Sequence, residues 1–448
     1  MTTSADLSVR SNMANGFDPS KANLLDAALQ DQIARRRAVL GPAYRLMYSH
    51  PVQVSRAKGC LLWDRNGREY LDAYNNVVSV GHCHPRVIAA VHEQMQTLCT
   101  HTRYLQDGIL DFAEEFVATF GGRIRHIMFT CTGSEANDLA LQIAMHHTGR
   151  KGVIITANAY TGNSALTSKL SPSLSADMPL PDWVECISAP DTCRLTPEEI
   201  GARTRQEVAG AIARLNAKGH SVAAFIADSL FSSDGVFAQP VGLLRDIADL
   251  IHAAGGLVIA DEVQAGFGRS GEALWGHQRH GQSPDLVTMG KPMGNGYPVA
   301  AVATSAEAVA KFGVESRYFN TFGGNNVAIA AARATFDVLR DEGLMDNAAR
   351  IGGMLRRELA ALTSGHERVA EVRGAGLFIG VEMVRDRGLL EPDTDAAQAL
   401  IGGLRERGVL ISACGTKANT LKIRPPLVFT EVLADRFLTE FSAALSKV

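Results

Sequence analysis

The sequence predicts an α/β protein with a large domain around a mostly parallel sheet and a smaller α+β domain built from both ends of the chain. The main observation is a series of short aliphatic runs that alternate with helical patterns, at 127–130, 153–156, 223–228, 257–261, 286–289 and 299–304. Such runs are typical of parallel strands covered by helices on both faces. Short runs near the N terminus and strand-like runs after residue 369 predict the smaller domain.

The predicted elements divide the chain into four segments. Residues 1–20 are polar and lack periodicity, so we expect a flexible tail. Residues 21–74 should form an N-terminal arm and part of the small domain. Residues 75–325 are assigned to the large, ligand-binding domain, and residues 326–448 to the C-terminal part of the small domain. The arm contains one helical stripe, formed by Leu24, Leu25, Ala28, Ile33 and Leu40.

Composition and charge limit the class of function. Of the 448 residues, 46% are hydrophobic and 20% are charged, as in a globular protein with a sizeable core. The net charge of −3 offers no basic field for nucleic acid, and no apolar stretch approaches the length of a membrane span. The seven cysteines include no Cys-x-x-Cys spacing, so we expect neither a disulfide framework nor a metal site. These properties favour a cytoplasmic location.

A candidate anion site lies where an aliphatic run gives way to a helix, in Thr130-Cys131-Thr132-Gly133-Ser134-Glu135-Ala136-Asn137. Gly133 and Ser134 would place backbone N–H groups and a hydroxyl at the positive end of the helix dipole, where a phosphate can bind. The simpler interpretation is an ordinary serine N-cap followed by a glutamate. The glycine-rich segment from Gly374 to Gly380 leads into a strand and is assigned to backbone packing.

The most informative pairing joins Asp261, at the end of an aliphatic strand, with Lys291 in Gly290-Lys291-Pro292. Pyridoxal phosphate enzymes need both an amine that forms a Schiff base and a buried carboxylate that keeps the pyridine nitrogen protonated. The period of a strand puts Val263 on the same face as Asp261, where it can pack under the ring. Tyr160 is the candidate to cover the opposite ring face. Taken singly, these residues have simpler interpretations as a solvated lysine, a capping aspartate and a half-buried tyrosine.

Several segments together resemble the class III (ω-) aminotransferase family of fold-type I pyridoxal phosphate-dependent transferases. The resemblance extends from about Ala43 to the C terminus. It rests on Val80-Gly81-His82-Cys83-His84-Pro85, Thr132-Gly133-Ser134-Glu135-Ala136-Asn137, the Asp261 segment, Gly290-Lys291 and Asn320-Thr321-Phe322-Gly323-Gly324-Asn325.

This resemblance implies roles for individual residues. It makes Lys291 and Asp261 catalytic, assigns Gly133 and Ser134 to the cofactor phosphate, and assigns Gln264 to the phenolic oxygen. The residue that matches Thr321 contacts the cofactor phosphate of the neighbouring subunit, so a homodimer with shared active sites is implied. Asp228 stands where the family usually has Glu, and Thr161 where it usually has His; Asp228 is retained as a cofactor-binding candidate.

Further segments resemble the branch of phospho-lyases that act on O-phosphoethanolamine or phosphorylated hydroxylysine. These are Asn75-Asn76-Val77, His101-Thr102-Arg103-Tyr104-Leu105, Pro190-Asp191-Thr192, Met289-Gly290-Lys291-Pro292-Met293-Gly294-Asn295-Gly296 and Leu421-Lys422-Ile423-Arg424-Pro425-Pro426. Lys422 replaces an arginine common in carboxylate-binding relatives, which suits a phosphate held by several point charges. We therefore expect Asn76, Arg103, Lys422 and Arg424 to bind a small phosphorylated amine, although any of the cations could be a structural ion pair. The alternatives are an ω-amino acid or amine transaminase using pyruvate or glyoxylate, a racemase, and a noncatalytic cofactor-binding protein.

Overall fold

The computed structural model describes residues 13–174 and 179–448 of the chain. Its first elements are a helix, α1 (Ala27–Leu40), and a small antiparallel sheet of β1 (Val54–Lys58), β2 (Leu61–Asp64) and β3 (Glu69–Asp72). Of the predicted helical stripe, Leu24, Ala28 and Leu40 are exposed, whereas Leu25 and Ile33 are half-buried. Leu29 is the one buried residue of α1, and Leu24, in the 3-10 helix just before it, is 77% exposed.

Residues 13–17, which belong to the expected tail, contact the rest of the chain, and residues 1–12 lie outside the described part of the chain. Phe17 is buried, and the Asn15 side chain accepts a hydrogen bond from the Ser412 hydroxyl over 2.8 Å. Gly16 forms a β-bridge with Met47. Met13, Ala14 and Phe17 are apolar, so this segment can pack against the core although it follows a polar stretch of sequence.

A seven-stranded sheet lies at the centre of the large domain in the described residues. In chain order its strands are β4 (Ile124–Thr130), β5 (Gly152–Thr156), β6 (Val184–Ile187), β7 (Val222–Asp228), β8 (Leu257–Asp261), β9 (Leu286–Met289) and β10 (Ala300–Ser305). Their order across the sheet is β4-β10-β9-β8-β7-β5-β6, and β10 alone runs in the direction opposite to the other six strands. The predicted mostly parallel sheet is confirmed.

Strand β6 is not among the predicted strands because its four residues include a charged one. Glu185 is buried, and Lys218 and Arg214 bind its carboxylate at 2.6 and 2.7 Å. The two cations offset the cost of removing this carboxylate from water, so a strand forms without a continuous aliphatic run.

Helices cover both faces of the sheet. Those up to residue 362 are α2 (Pro85–Thr97), α3 (Asp107–Ala118), α4 (Gly133–Thr148), α5 (Pro197–Ala217), α6 (Leu243–Ala253), α7 (Gly276–Arg279), α8 (Ala306–Glu315), α9 (Asn326–Asp341) and α10 (Leu344–Leu362). Successive strand residues point to opposite faces. Ile155 therefore packs in one core with α4, while its neighbour Ile154 packs in another with α5 and α6.

The C-terminal part of the chain completes the small domain. Its elements are β11 (Val369–Ala375), β12 (Phe378–Met383), α11 (Thr394–Glu406), β13 (Val409–Leu410), β14 (Ser412–Cys414), β15 (Thr420–Ile423) and α12 (Glu431–Leu445). β13 pairs in parallel with β3, so the two ends of the chain share one sheet, as predicted. No helix in the described residues combines the length and the apolar composition that a membrane span requires. The boundaries after residues 74 and 325 stay a prediction.

The predicted backbone packing of the glycine-rich segment is confirmed by two neighbouring glycines of α10. A Cβ on Gly352 would lie 2.0 Å from the carbonyl oxygen of Gly376, whereas a Cβ on Gly353 would meet only the tip of Arg357 at 3.6 Å. At Gly352 the helix therefore touches the backbone of the turn between β11 and β12 directly.

We predict opposite stability effects for these two glycines. Gly352→Ala should lower the free energy of unfolding by about 1–3 kcal/mol or more, because the added methyl group forces the helix and the turn apart. Gly353→Ala should raise it by about 0.5–1 kcal/mol, because alanine loses less backbone entropy in a helix. Denaturant unfolding measures both changes, and two similar values would contradict the packing described.

Candidate active site

The candidate catalytic residues converge at the carboxyl ends of the central strands. Asp228 ends β7 and Asp261 ends β8, and the two residues are paired neighbours in the sheet. Lys291 lies just after β9, in a 3-10 helix. Ligands of α/β sheets bind at this edge. One cleft is lined there by Gly133, Ser134, Asn137, Tyr160, Thr161, Gly162, Asp228, Asp261, Val263, Gln264 and Lys291.

The start of α4 leaves Ser134 free for a ligand. Thr132, not Ser134, is the N-cap, and Glu135 completes a capping box with it. The Ser134 hydroxyl instead accepts a hydrogen bond from the backbone of Asn163 over 3.1 Å. The simpler interpretation of Ser134 as the N-cap is therefore wrong.

Two glycines keep this end of the cleft open. A Cβ on Gly162 would lie 2.6 Å from the Ser134 oxygen, and the φ of +138° at Gly162 is one that other residues rarely adopt. A Cβ on Gly133 would lie 3.0 Å from the side chain of Val263. Backbone at a helix N terminus is thus exposed to the cleft beside a hydroxyl group, which suits a phosphate.

Asp261 is a buried carboxylate bound only by neutral donors in the described residues. It is 5% exposed, and it accepts hydrogen bonds from the Asn137 side chain at 2.8 Å and from the backbone of Val263 at 3.0 Å. Burial, with the nearby Asp228 charge, raises the pKa of Asp261 to about 7. A cationic ring nitrogen would favour its ionised form.

Asn137 is a site residue that the sequence analysis quotes but does not select. Its amide also donates to the carbonyl oxygen of Thr161 over 2.7 Å, which ties α4 to the loop after β5. The available signal was its spacing, since residue 137 lies one helical turn after Gly133 and therefore on the same face.

Lys291 is partly buried, with its amine 5.9 Å from the centre of the Tyr160 ring. Burial, and then the charge of Arg424, lowers the pKa of Lys291 to about 8, against the opposing effects of Asp261 and Asp228. A lowered pKa raises the share of neutral, nucleophilic amine near pH 7.

Asp228 has the hydrogen bonds of a turn former. Its carboxylate accepts from the backbone of Leu230 at 2.8 Å and from the Ser232 hydroxyl. Burial raises the pKa of Asp228 above its ordinary value.

Two expected substrate residues, Lys422 and Arg424, are buried on or just after β15. Lys422 is 7% exposed and makes no hydrogen bond through its amine to any described residue. Burial, and then the charge of Arg424, lowers the pKa of Lys422 to about 7. The Arg424 guanidinium donates to the side-chain oxygen of Gln264.

Thr321, Arg103 and Asn76, like Lys422 and Arg424, are not among the residues that line this cleft in a single chain. Thr321 is exposed. Arg103 is also exposed, stacks 3.7 Å from the centre of the Phe319 ring and lines a separate groove. Asn76 is buried, and its amide nitrogen has no partner in the described residues.

The cleft fits pyridoxal phosphate by the chemistry of its side chains. It offers an amine, a buried carboxylate for the ring nitrogen, and a helix N terminus with a hydroxyl for the phosphate. Val263 and Tyr160 supply apolar surface beside them.

Comparisons with known proteins show the family to which the chain belongs. The family model for class-III aminotransferases matches residues 44–445. The chain is 39% identical over 434 residues to "Ethanolamine-phosphate phospho-lyase homolog 1" of Caenorhabditis elegans, covering 92% of this chain and 93% of that protein. It is 38% identical to "Alanine--glyoxylate aminotransferase 2-like" of Drosophila melanogaster, covering 93% of this chain and 87% of that protein.

A solved structure is also similar along nearly the whole chain. It is a phospholyase from Arthrobacter in complex with phosphoethanolamine, with 41% identity and a TM-score of 0.91, covering 93% of this chain and 100% of that chain. The predicted fold class and the resemblance are confirmed, and this chain belongs to the class III aminotransferase family.

Proposed function

We propose that this protein is a pyridoxal phosphate-dependent phospho-lyase that eliminates phosphate from O-phosphoethanolamine or a related phosphorylated amine. The products would be an aldehyde, ammonia and phosphate. The observation that carries the proposal is the similarity to the phospholyase bound to phosphoethanolamine. Lys422 supports it, because a buried amine without a carboxylate partner suits an anionic group on the substrate.

Different residues of the cleft would bind different parts of the cofactor. When bound, pyridoxal phosphate supplies an aldehyde that takes up the substrate amine and a ring that accepts electrons. Gly133 and Ser134 would hold its phosphate, Asp261 its ring nitrogen and Gln264 its phenolic oxygen. Val263 and Tyr160 would contact its two faces, with Asp228 at the edge of the cleft.

Lys291 and Asp261 carry the chemistry in this proposal. Lys291 takes a proton from the carbon next to the substrate nitrogen. Asp261 keeps a proton on the ring nitrogen, and its burial makes this stabilisation strong. The bond between the next carbon and the phosphate oxygen then breaks, and phosphate leaves with the electron pair. Water converts the remaining two-carbon unit to acetaldehyde and ammonia.

Transamination is the second candidate, favoured by the 38% identity to the Drosophila protein named as an aminotransferase-like protein. It would use the same lysine and carboxylate but would need an oxo acid such as pyruvate or glyoxylate as acceptor. The two functions therefore differ in whether phosphate is released without an acceptor.

We further propose a cytoplasmic homodimer with shared active sites. Large apolar side chains are exposed in one chain, including Leu105 at 99%, Phe322 at 69% and Val39 of α1 at 80%. Exposed apolar surface on this scale is typical of a protein interface. Thr321, next to Phe322, would then contact the cofactor phosphate in the partner's cleft.

The substrate proposal predicts phosphate release from O-phosphoethanolamine with no oxo acid present. A phosphate assay on purified protein should show turnover, and Lys291→Ala should abolish it because the proton acceptor is lost. If the protein releases no phosphate but transfers the amine of alanine or an ω-amino acid, transamination is the function instead.

If Lys422 binds the substrate phosphate, its replacement should weaken substrate binding and stabilise the fold. Lys422→Met should raise the KM for O-phosphoethanolamine by about tenfold to a hundredfold, because a charge-assisted contact is lost. Without substrate it should stabilise the fold by about 1–3 kcal/mol near pH 7. The exposed Lys417 gives the matched control, Lys417→Met, which should change neither quantity.

The stabilisation by Lys422→Met should decrease as the pH rises. Because the folded pKa of Lys422 is about 7, below its ordinary 10.5, the unfolded chain binds more protons between these values. The penalty of burying Lys422 is therefore complete below pH 7 and fades as the pH rises towards 10.5. Denaturant unfolding measured from pH 7 to 10 should show that the stabilisation by Lys422→Met decreases. A constant or growing stabilisation would contradict a buried Lys422 with a lowered pKa.

Shared active sites predict complementation between two inactive variants. Lys291→Ala and Thr321→Asp should each be inactive or weak alone. A mixed dimer should regain one complete site, with Lys291 from one chain and Thr321 from the other. Activity of co-expressed, separately tagged chains measures this. No recovery in purified mixed dimers would place Thr321 in its own chain's site, and full activity of Thr321→Asp alone would place it outside any site.

A further inference from the structure

Arg424 is held by the protein rather than presented to the cleft. Its Nε donates to the carbonyl oxygen of Tyr74 over 2.8 Å, and its backbone N–H donates to the carbonyl oxygen of Ala73 over 2.8 Å. The guanidinium lies 4.7 Å from the centre of the Tyr74 ring and 5.8 Å from that of Phe378. At 6% exposure, this arginine has little freedom to follow a substrate.

The remaining contact of Arg424 determines the orientation of Gln264. Its Nη1 donates to the side-chain oxygen of Gln264, which lines the cleft. A guanidinium has donors only, so the reversed amide would place two N–H groups against each other. The nitrogen of Gln264 is therefore the part of the amide that is left for the cleft, and it has no hydrogen-bond partner in the described residues.

We propose that Arg424 is a positioning residue that fixes the Gln264 amide so that its NH2 group donates to an anionic oxygen in the cleft. This inference rests on the cofactor part of the proposed function, in which that acceptor is the phenolic oxygen of pyridoxal phosphate. It gives Arg424 a different role from the direct phosphate contact that the sequence predicts. Lys422 keeps its expected role, because its buried amine has no hydrogen-bond partner among the described residues.

The arrangement has a measurable consequence for the bound cofactor. A positive charge behind the amide polarises its N–H groups and strengthens the donor. Such a donor favours the state with more negative charge on the oxygen, so it lowers the pH at which the bound cofactor loses its proton. Other ionisable groups around the cleft are Asp228 on β7, Asp261 on β8, Tyr160 after β5, Lys291 after β9 and Lys422 on β15, with Arg269 beside Arg424. All of them stay unchanged in the variants below.

The test is a pH titration of cofactor absorption, together with the cofactor dissociation constant, for the purified holoenzyme. Arg424→Met should raise the midpoint by about one pH unit and weaken cofactor binding about tenfold. Arg424→Lys keeps the charge and one donor, so its shift should be smaller. Gln264→Glu keeps a partner for Arg424 but replaces the donor with an acceptor, so it should raise the midpoint most. Arg405→Met is the control, because the buried Arg405 bonds Glu406 and not a cleft residue.

The outcomes separate this inference from the proposed function. The positioning role is supported if the midpoint rises least in Arg424→Lys, more in Arg424→Met and most in Gln264→Glu, with no change in Arg405→Met. Unchanged midpoints in both Arg424→Met and Gln264→Glu overturn it, even if the variants are less stable or turn over more slowly. A wild-type protein that takes up no cofactor overturns both. Cofactor binding without phosphate release overturns only the substrate assignment.

Discussion

The site depends on one constraint. Ionisable side chains are buried at the carboxyl edge of the sheet, and the groups that bind them directly do not balance their charges. Asp261 is 5% exposed and bound by neutral donors, and its pKa rises to about 7. The pKa of Lys291 falls to about 8 and that of Lys422 to about 7 for the same physical reason. Desolvated charge is costly, and proteins keep it where a ligand supplies the balance. A cationic heterocycle carrying a phosphate, and an anionic substrate, would supply it here.

The fold produces this edge by placing three consecutive parallel strands side by side. β7, β8 and β9 end together, so Asp228, Asp261 and Lys291 reach one cleft although they are far apart in the chain. The small domain contributes two further cationic side chains near this edge, because Lys422 lies on β15 and Arg424 follows that strand. The two lysines then differ by their surroundings: Lys291 lines the cleft beside Tyr160, whereas Lys422 lies 5.4 Å from the Phe378 ring centre.

The sequence predicted what depends on local pattern. Aliphatic runs identified the parallel strands, and the residues that end or follow them, Asp261 and Lys291, indicated the chemistry that is proposed. It missed β6 because the two cations that offset the charge of Glu185 come from a distant helix. Helical spacing could have placed Asn137 on the face of Gly133, but the bond from Asn137 to Asp261 and the bond between Arg424 and Gln264 join residues more than a hundred positions apart. Contacts of that kind leave no periodic signal.

Hydride reduction of the cofactor-loaded protein, followed by peptide mass spectrometry, tests the central claim most directly. Reduction with borohydride turns a Schiff base into a stable amine, so the modified lysine can be located. The site described here predicts a single pyridoxyl group on the peptide that contains Lys291. A group on the peptide that contains Lys422, or no modified peptide from protein saturated with pyridoxal phosphate, would contradict it.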